Sequence, residues 1–255
     1  MNAARSYALV GATLALALAT LGARPLVHAD TIAPDATPLP AVLVLARYEK
    51  ALAALRRPTA ITFDYSVEQL GLRNMEQTHH VYRSGLSERD ETLVVDGYTL
   101  TRPSVRILAN RTSHYDIAAV APKPSSYKFA FAGAVPRGTA FAYVFRTAAL
   151  ADAPFAVTEI EIDGARFLPS VVRFKIASGD ARGSGRLAYA PNGRYWLVRD
   201  AQVNAHLAGG ATAHEHIAWS DYSFPSALPP STFENTNPYA SEKLERRFSP
   251  AESGP

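Results

Sequence analysis

The sequence predicts a mainly β fold, a curved antiparallel sheet of roughly 11 strands with one covering helix. Three observations lead there. Apolar and polar residues alternate with a period of two along most of the chain beyond Ala60. Turn residues of the Gly, Asn and Asp kind separate the alternating runs at short intervals. A convincing helical period occurs once after the N-terminal leader, in Ala41–Arg57.

The N-terminal segment Met1–Ala29 reads as a cleavable secretory signal peptide. Arg5 is followed by an apolar run from Ala8 to Ala19. A membrane-spanning helix needs roughly 20 apolar residues, so this run suits the h-region of a leader better. Val27-His28-Ala29 places cleavage before Asp30, with Leu21-Gly22-Ala23 as a second candidate. The expected location is outside the cytoplasm, periplasmic or extracellular.

Residues 30–40, rich in Pro, Ala and Thr, read as a flexible lead-in. In Ala41–Arg57, Val42, Leu45, Tyr48, Leu52 and Leu55 recur at steps of three and four and define one helical face. Arg56 and Arg57 complement the C-terminal end of the helix dipole, and Pro58 stops the helix. Ile61–Glu68 then alternates strictly, as a half-buried strand does. Met75–Arg83 and Glu88–Val95 form a hairpin with Ser84-Gly85 near its turn. Asn110–Ser126 reads as a loop with one helical turn. Tyr127–Phe131 and Phe141–Arg146 alternate around aromatic residues. Phe155–Ile162 and Phe167–Ile176 flank the tight-turn pair Asp163-Gly164. Leu187–Ala190 and Tyr195–Leu207 flank Pro191-Asn192-Gly193, and Thr212–Tyr222 is the last strand. The folded domain is expected to span residues 41–233, with 234–255 a mobile tail.

Composition removes several classes of function. The chain has no cysteine. That excludes a thiolate zinc site, a cysteine nucleophile, a disulfide and lipid attachment at a leader cysteine. Without the leader the formal net charge falls from +3 to +1, because Arg5 and Arg24 go with it. No basic tract suited to a phosphate backbone remains, so nucleic acid is not an expected partner.

A long antiparallel sheet with one amphipathic helix hides its apolar face by closing into a barrel, or by curling into a half-barrel with the helix across the opening. The inward positions are large: Phe63, Tyr65 and Val67; Phe129 and Phe131; Phe141, Tyr143 and Phe145; Val172, Phe174 and Ile176. They form either a plain core or the wall of an apolar cleft. The candidate ligand-binding set is Phe63, Tyr65, Phe129, Phe141, Tyr143, Phe145, Phe174 and Ile176, with Leu45 and Leu52 from the helix.

Three stretches near the end of the chain form a pattern: Asn192-Gly193-Arg194-Tyr195-Trp196-Leu197-Val198, Ile217-Ala218-Trp219-Ser220-Asp221-Tyr222, and Leu228-Pro229-Pro230-Ser231-Thr232-Phe233. With a leader, an early amphipathic helix and Ile61-Thr62-Phe63-Asp64-Tyr65, they resemble the periplasmic lipoprotein-carrier (LolA-like) superfamily over Ala41–Phe233. The resemblance implies an unclosed β half-barrel holding a helical lid over a hydrophobic cavity. It implies carriage of lipoprotein acyl chains, binding of other lipids, or envelope-stress sensing.

Candidate chemistry elsewhere is thin. His214 and His216 share a strand face and could share a metal if His206 or Asp221 added a ligand; a solvated strand face is the expected reading, with no metal site. His79 and His80 point to opposite faces, one packed and one at the surface. Gly183-Ser184-Gly185 reads as a strand connection and lacks the spacing of a nucleophile elbow. Glu88, Asp90 and Glu91, beside Arg83 and Arg89, read as a solvated turn. Glu159 and Glu161 belong to an outward polar face. The expectation is a non-catalytic exported protein without cofactor that binds or carries a lipid or lipoprotein acyl chain in the cell envelope. Its partners would be a lipid or an acylated protein, and an envelope protein. The alternative is a non-catalytic sensor or interaction scaffold on the same fold.

Overall fold

The computed structural model describes residues 37–71, 74–109, 115–152, 155–178, 181–206 and 210–234, all within the unit Ile32–Pro255. The leader, most of the lead-in and the tail beyond Glu234 lie outside the described residues.

Eleven strands form one antiparallel sheet. In chain order they are β1 (Ala60–Gly71), β2 (Met75–Ser84), β3 (Ser87–Val95), β4 (Tyr98–Leu108), β5 (Tyr127–Arg137), β6 (Ala140–Ala149), β7 (Phe155–Asp163), β8 (Pro169–Ser178), β9 (Ala181–Asn192), β10 (Tyr195–His206) and β11 (Thr212–Ser223). The order across the sheet is β4-β3-β2-β1-β11-β10-β9-β8-β7-β6-β5. Two meanders are therefore joined by one long-range pairing, β1 with β11. The sheet is not closed, since β4 and β5 are its two edges. This is an unclosed half-barrel, the second of the two ways to hide the apolar face.

Helix α1 (Ala41–Ala53) lies on the inner face. It ends earlier than Arg57 because the amide of Leu55 bonds the Leu52 carbonyl in a tighter turn, and Pro58 disfavours helical backbone at Arg57. Val44 and Tyr48 are fully buried, and Leu45, Leu52 and Leu55 pack on the core. Val42 corrects the predicted face: it is 76% exposed. The buried stripe is centred on Val44 and Tyr48, which leaves Val42 to one side.

The edges β4 and β5 are consecutive in sequence, and the described part of their connection, from Tyr115 on, lies on the inner face. It carries the short helix α2 (Ile117–Val120), capped by Asp116, whose Oδ1 accepts from the Ala118 amide at 3.0 Å. Ile117, Val120 and Ala121 are buried in the core. The Tyr48 hydroxyl donates to the Pro122 carbonyl at 2.5 Å, and the Tyr189 hydroxyl to the Tyr115 carbonyl at 3.1 Å. The helical turn expected within Asn110–Ser126 is thus a strap pinned to α1 and to β9.

β4 is absent from the strands read by alternation. Its residues are mostly exposed, and Pro103 sits on this edge strand, where a missing donor costs least. The turn before it, Asp96-Gly97, has φ of 51° and 80° at its two residues, the backbone a two-residue hairpin requires. β9 runs through Gly183-Ser184-Gly185, which is strand and not a connection. A Cβ at Gly185 would lie 2.3 Å from Phe174 Cζ, so the glycine makes room for that ring. Asp163-Gly164 opens a wider turn than the tight pair predicted: Asp163 Oδ1 accepts from the amides of Ala165 and Arg166, and Phe167 takes φ of 57°.

Of the sheet's several bulges, two set which side chains face inward at the β10–β11 end. One extra residue in β10, between Val198 and Asp200, brings Trp196 and Val198 onto the same face as Ala201. A second, between Ser220 and Ser223 of β11, is built around Asp221 at φ of 52°. It shifts the inward set from Ile217 and Trp219 to Tyr222 and Phe224. No helix among the described residues is long and apolar enough to cross a membrane.

Candidate functional site

The inner face is divided into a filled part and an open part. Under α1, side chains from β6 to β11 meet Val44, Tyr48, Ile117 and Val120 in a continuous buried cluster. Phe145, Ile160, Ile162, Val172 and Leu187 form its floor, each almost fully buried. Aromatic rings fill the space between: Tyr48 and Phe129 lie 6.1 Å apart, Phe129 and Phe145 6.2 Å, Phe155 and Phe174 4.8 Å.

Beside this core is an open cleft of about 490 Å³, within the range of small-molecule sites. Its wall on the sheet carries a large apolar part, Ile61, Phe63 and Val67 of β1, Val81 of β2, Ile217 and Trp219 of β11, and Trp196 with Leu197 of β10, beside the charged Arg83 of β2, Glu88 of β3 and Glu215 of β11. Its rim is Leu55–Thr59 after α1 and Tyr115–Ile117 of the strap. The Arg57 Nε lies 3.1 Å from Asp116 Oδ2 and ties these two rims together. Tyr115 and Trp219 make an edge contact at 5.0 Å, placing the strap against the cleft wall.

Of the ten predicted site residues, Phe63 and Tyr65 line this cleft. Tyr143, Phe145 and Phe174 are buried in the core under α1. Leu45, Leu52, Phe129, Phe141 and Ile176 pack against that core. Sequence periodicity does not separate the two groups, because both face inward. The cleft residues absent from the predicted set include Ile61, Val81, Trp196, Ile217 and Trp219. Ile217 and Trp219 alternate inward on β11. Trp196 is hidden from simple parity by the bulge that follows it.

Toward β3 and β4 the inner face turns polar. The Asp90 carboxylate is 4% exposed. Its Oδ1 lies 2.8 Å from His79 Nδ1; its Oδ2 accepts from the Tyr65 hydroxyl at 3.0 Å and from Arg106 Nη2 at 2.9 Å. The Tyr65 and His79 rings stack at 4.4 Å, with 7° between their planes. Burial pushes the Asp90 pKa up, but the bonds and charges of His79 and Arg106 and the Tyr65 bond outweigh it, so it lies below the usual carboxylate value. Burial, then the Asp90 charge, pushes the Tyr65 phenol well above its ordinary value. Glu88 is equally buried and accepts from Arg83 Nε at 2.8 Å. The Glu88–Asp90 stretch is therefore not the solvated turn expected: alternation on β3 points both carboxylates inward, with Arg89 and Glu91 on the other face. His79 is the packed member of its pair, and His80 meets Asp64 on the other face.

His214 and His216 do point to one face, where each has its own partner. His214 Nδ1 lies 2.6 Å from Asn204 Oδ1, and His216 Nε2 2.6 Å from Asp200 Oδ2. No group of three His, Cys, Asp or Glu side chains that could hold a metal occurs among the described residues. Glu159 and Glu161 pair with Arg173 and Arg137.

No family model and no curated protein matches the chain. Among solved structures it is similar to a LolA superfamily protein from Nitrosomonas europaea, at 12% identity and a TM-score of 0.40, over 75% of this chain and 97% of that one. A domain from Vibrio parahaemolyticus named for outer membrane lipoprotein sorting matches at 12% identity and a TM-score of 0.44, over 74% and 95%. A DUF1329 family protein from Desulfovibrio piger matches at 9% identity and a TM-score of 0.40, over 75% and 97%. At these scores the likenesses say nothing of ligand or activity.

Proposed function

We propose that this protein binds a hydrophobic ligand, a lipid or the acyl chain of a lipoprotein, in the cleft between β1, β2, β10 and β11 and the strap, and carries it in the cell envelope. The observation that supports the reading is the large apolar part of that cleft's wall. Two tryptophans, Phe63 and the five aliphatic side chains Ile61, Val67, Val81, Leu197 and Ile217 line a space of about 490 Å³. Burying an acyl chain contributes about 0.8 kcal/mol per methylene. The titratable groups at the polar end are engaged with one another, as Asp90 is with His79, Tyr65 and Arg106, and Glu88 with Arg83. A binding role without chemistry is the reading this favours. The leader read from the sequence supports a location outside the cytoplasm, periplasmic or extracellular.

The filled core beneath α1 favours a second reading, a non-catalytic envelope sensor or scaffold on the same fold. Mass spectrometry of an organic extract from natively purified protein separates the two. Stoichiometric lipid is expected for the carrier. A lipid-free protein that also ignores added amphiphiles leaves the scaffold as the account.

A further inference from the structure

A groove of about 330 Å³ adjoins the cleft and shares Leu55, Arg56 and Trp196 with it. It lies between the end of α1, the β7–β8 turn and the β9–β10 turn. Each of these three segments contributes one exposed arginine: Arg56, Arg166 and Arg194.

These arginines, like Arg47, Arg102, Arg146 and Arg199, stand apart from the ion-paired arginines among the described residues. Arg57, Arg83, Arg106, Arg137 and Arg173 each face a carboxylate within ion-pair distance. Among the described residues, Arg56, Arg166 and Arg194 form no such pair. Two of them are nevertheless held in place. The Arg166 guanidinium lies 5.6 Å from the Trp196 ring centre, and its amide donates to Asp163 Oδ1 at 2.8 Å. The Arg194 guanidinium lies 5.0 Å from the Tyr195 ring centre, and its Nη2 donates to the Tyr195 hydroxyl at 2.8 Å. Trp196 is itself fixed, since its Nε1 donates to the Pro169 carbonyl at 2.7 Å. A guanidinium stacked on a ring keeps its outer N–H edge available, and that edge matches a carboxylate or phosphate in a two-pronged hydrogen bond.

The tail alone gives weak binding. A single myristoyl chain partitions into a membrane with a constant of only about 10⁴ M⁻¹, so a useful carrier gains from a second contact at the head. We propose that the Arg56–Arg166–Arg194 groove receives the anionic head, carboxylate or phosphate, of a single-chain amphiphile whose tail occupies the adjoining cleft. This rests on the ligand-binding reading above and adds the class of ligand. A neutral head would offer these three guanidinium groups no opposite charge.

The test is calorimetric titration of the natively folded protein with palmitate, palmitoyl lysophosphatidic acid and neutral monopalmitoylglycerol. The same titrations use the triple variant Arg56→Gln, Arg166→Gln, Arg194→Gln and, as a control, Arg173→Gln on the outer face, with thermal melting to verify folding. At least one anionic ligand should bind about ten- to a hundredfold tighter than the neutral one, and the tighter of the two assigns the head as carboxylate or phosphate. The triple variant should lose that preference and keep its affinity for monopalmitoylglycerol, while Arg173→Gln retains it. Equal affinities for all three amphiphiles, or a preference that survives in the triple variant, overturn the anionic groove and leave the hydrophobic cleft standing. Failure of every amphiphile to bind overturns both.

Discussion

The Tyr222 hydroxyl donates a 2.6 Å hydrogen bond to the Val198 carbonyl, tying β11 to β10 at the wall of the cleft. The bond exists because the bulge at Asp221 turns Tyr222 inward, where its ring meets Phe63 at 5.5 Å. Tyr222→Phe keeps the ring and removes this bond to the Val198 carbonyl. Urea unfolding should show a loss of about 1–3 kcal/mol. Asp221→Gly relieves the left-handed backbone and should be neutral or slightly stabilising, whereas Asp221→Val should cost about 1–2 kcal/mol. Equal effects of Gly and Val would show that the bulge is not required.

The docking of α1 gives a second prediction. Tyr48 is fully buried and its hydroxyl holds the strap at Pro122. Tyr48→Phe should cost about 1–3 kcal/mol, and Val44→Ala a similar amount from two lost methyls and the cavity they leave. Val42→Ala, at an exposed position, should stay within about 0.5 kcal/mol. Thermal or urea unfolding of the three variants checks the order. A Val42 effect as large as that of Val44 would place the helix in another rotation.

Asp90 makes stability depend on pH in a defined direction. Its folded pKa lies below the ordinary value of 3.8. A carboxylate depressed in the folded state contributes its full stabilisation above the unfolded-chain value, and loses it as pH falls through the folded value. Asp90→Asn should therefore cost about 1–3 kcal/mol near neutral pH, and the gap to the wild type should close as pH drops below about 4. A gap that stays constant between pH 7 and pH 3 would contradict the Asp90 assignment.

The architecture was legible because period-two alternation survives in ten of the strands, and because α1 carries a helical period around Tyr48. What escaped did so for physical reasons. β4 is an edge strand with most of its residues exposed, so burial leaves no stripe on it, although Asp96-Gly97 marks the turn before it. Glu88 and Asp90 read as surface groups because a run of mixed charge suggests solvent; Arg83 is near Glu88 in sequence, but the partners that bury Asp90, Tyr65, His79 and Arg106, come from three other strands. The division of the inner face was hidden as well. Phe63 and Phe174 have the same inward alternation, yet Phe174 belongs to the filled core that includes α1 and Phe63 lines the open cleft. Only the position of the helix and the strap decides between them. The bulges near Arg199 and Asp221 shift parity and bring Trp196 and Tyr222 to the cleft, which alternation alone does not announce.

The chain contains two tryptophans, and both Trp196 and Trp219 line the cleft. Tryptophan fluorescence therefore reports on the proposed site directly. Palmitate brominated along its chain should quench that fluorescence saturably, and excess unlabelled palmitate should restore it by competition. A fatty acid that binds by calorimetry without quenching, or quenching that never saturates and is not reversed by palmitate, would contradict a ligand in this cleft.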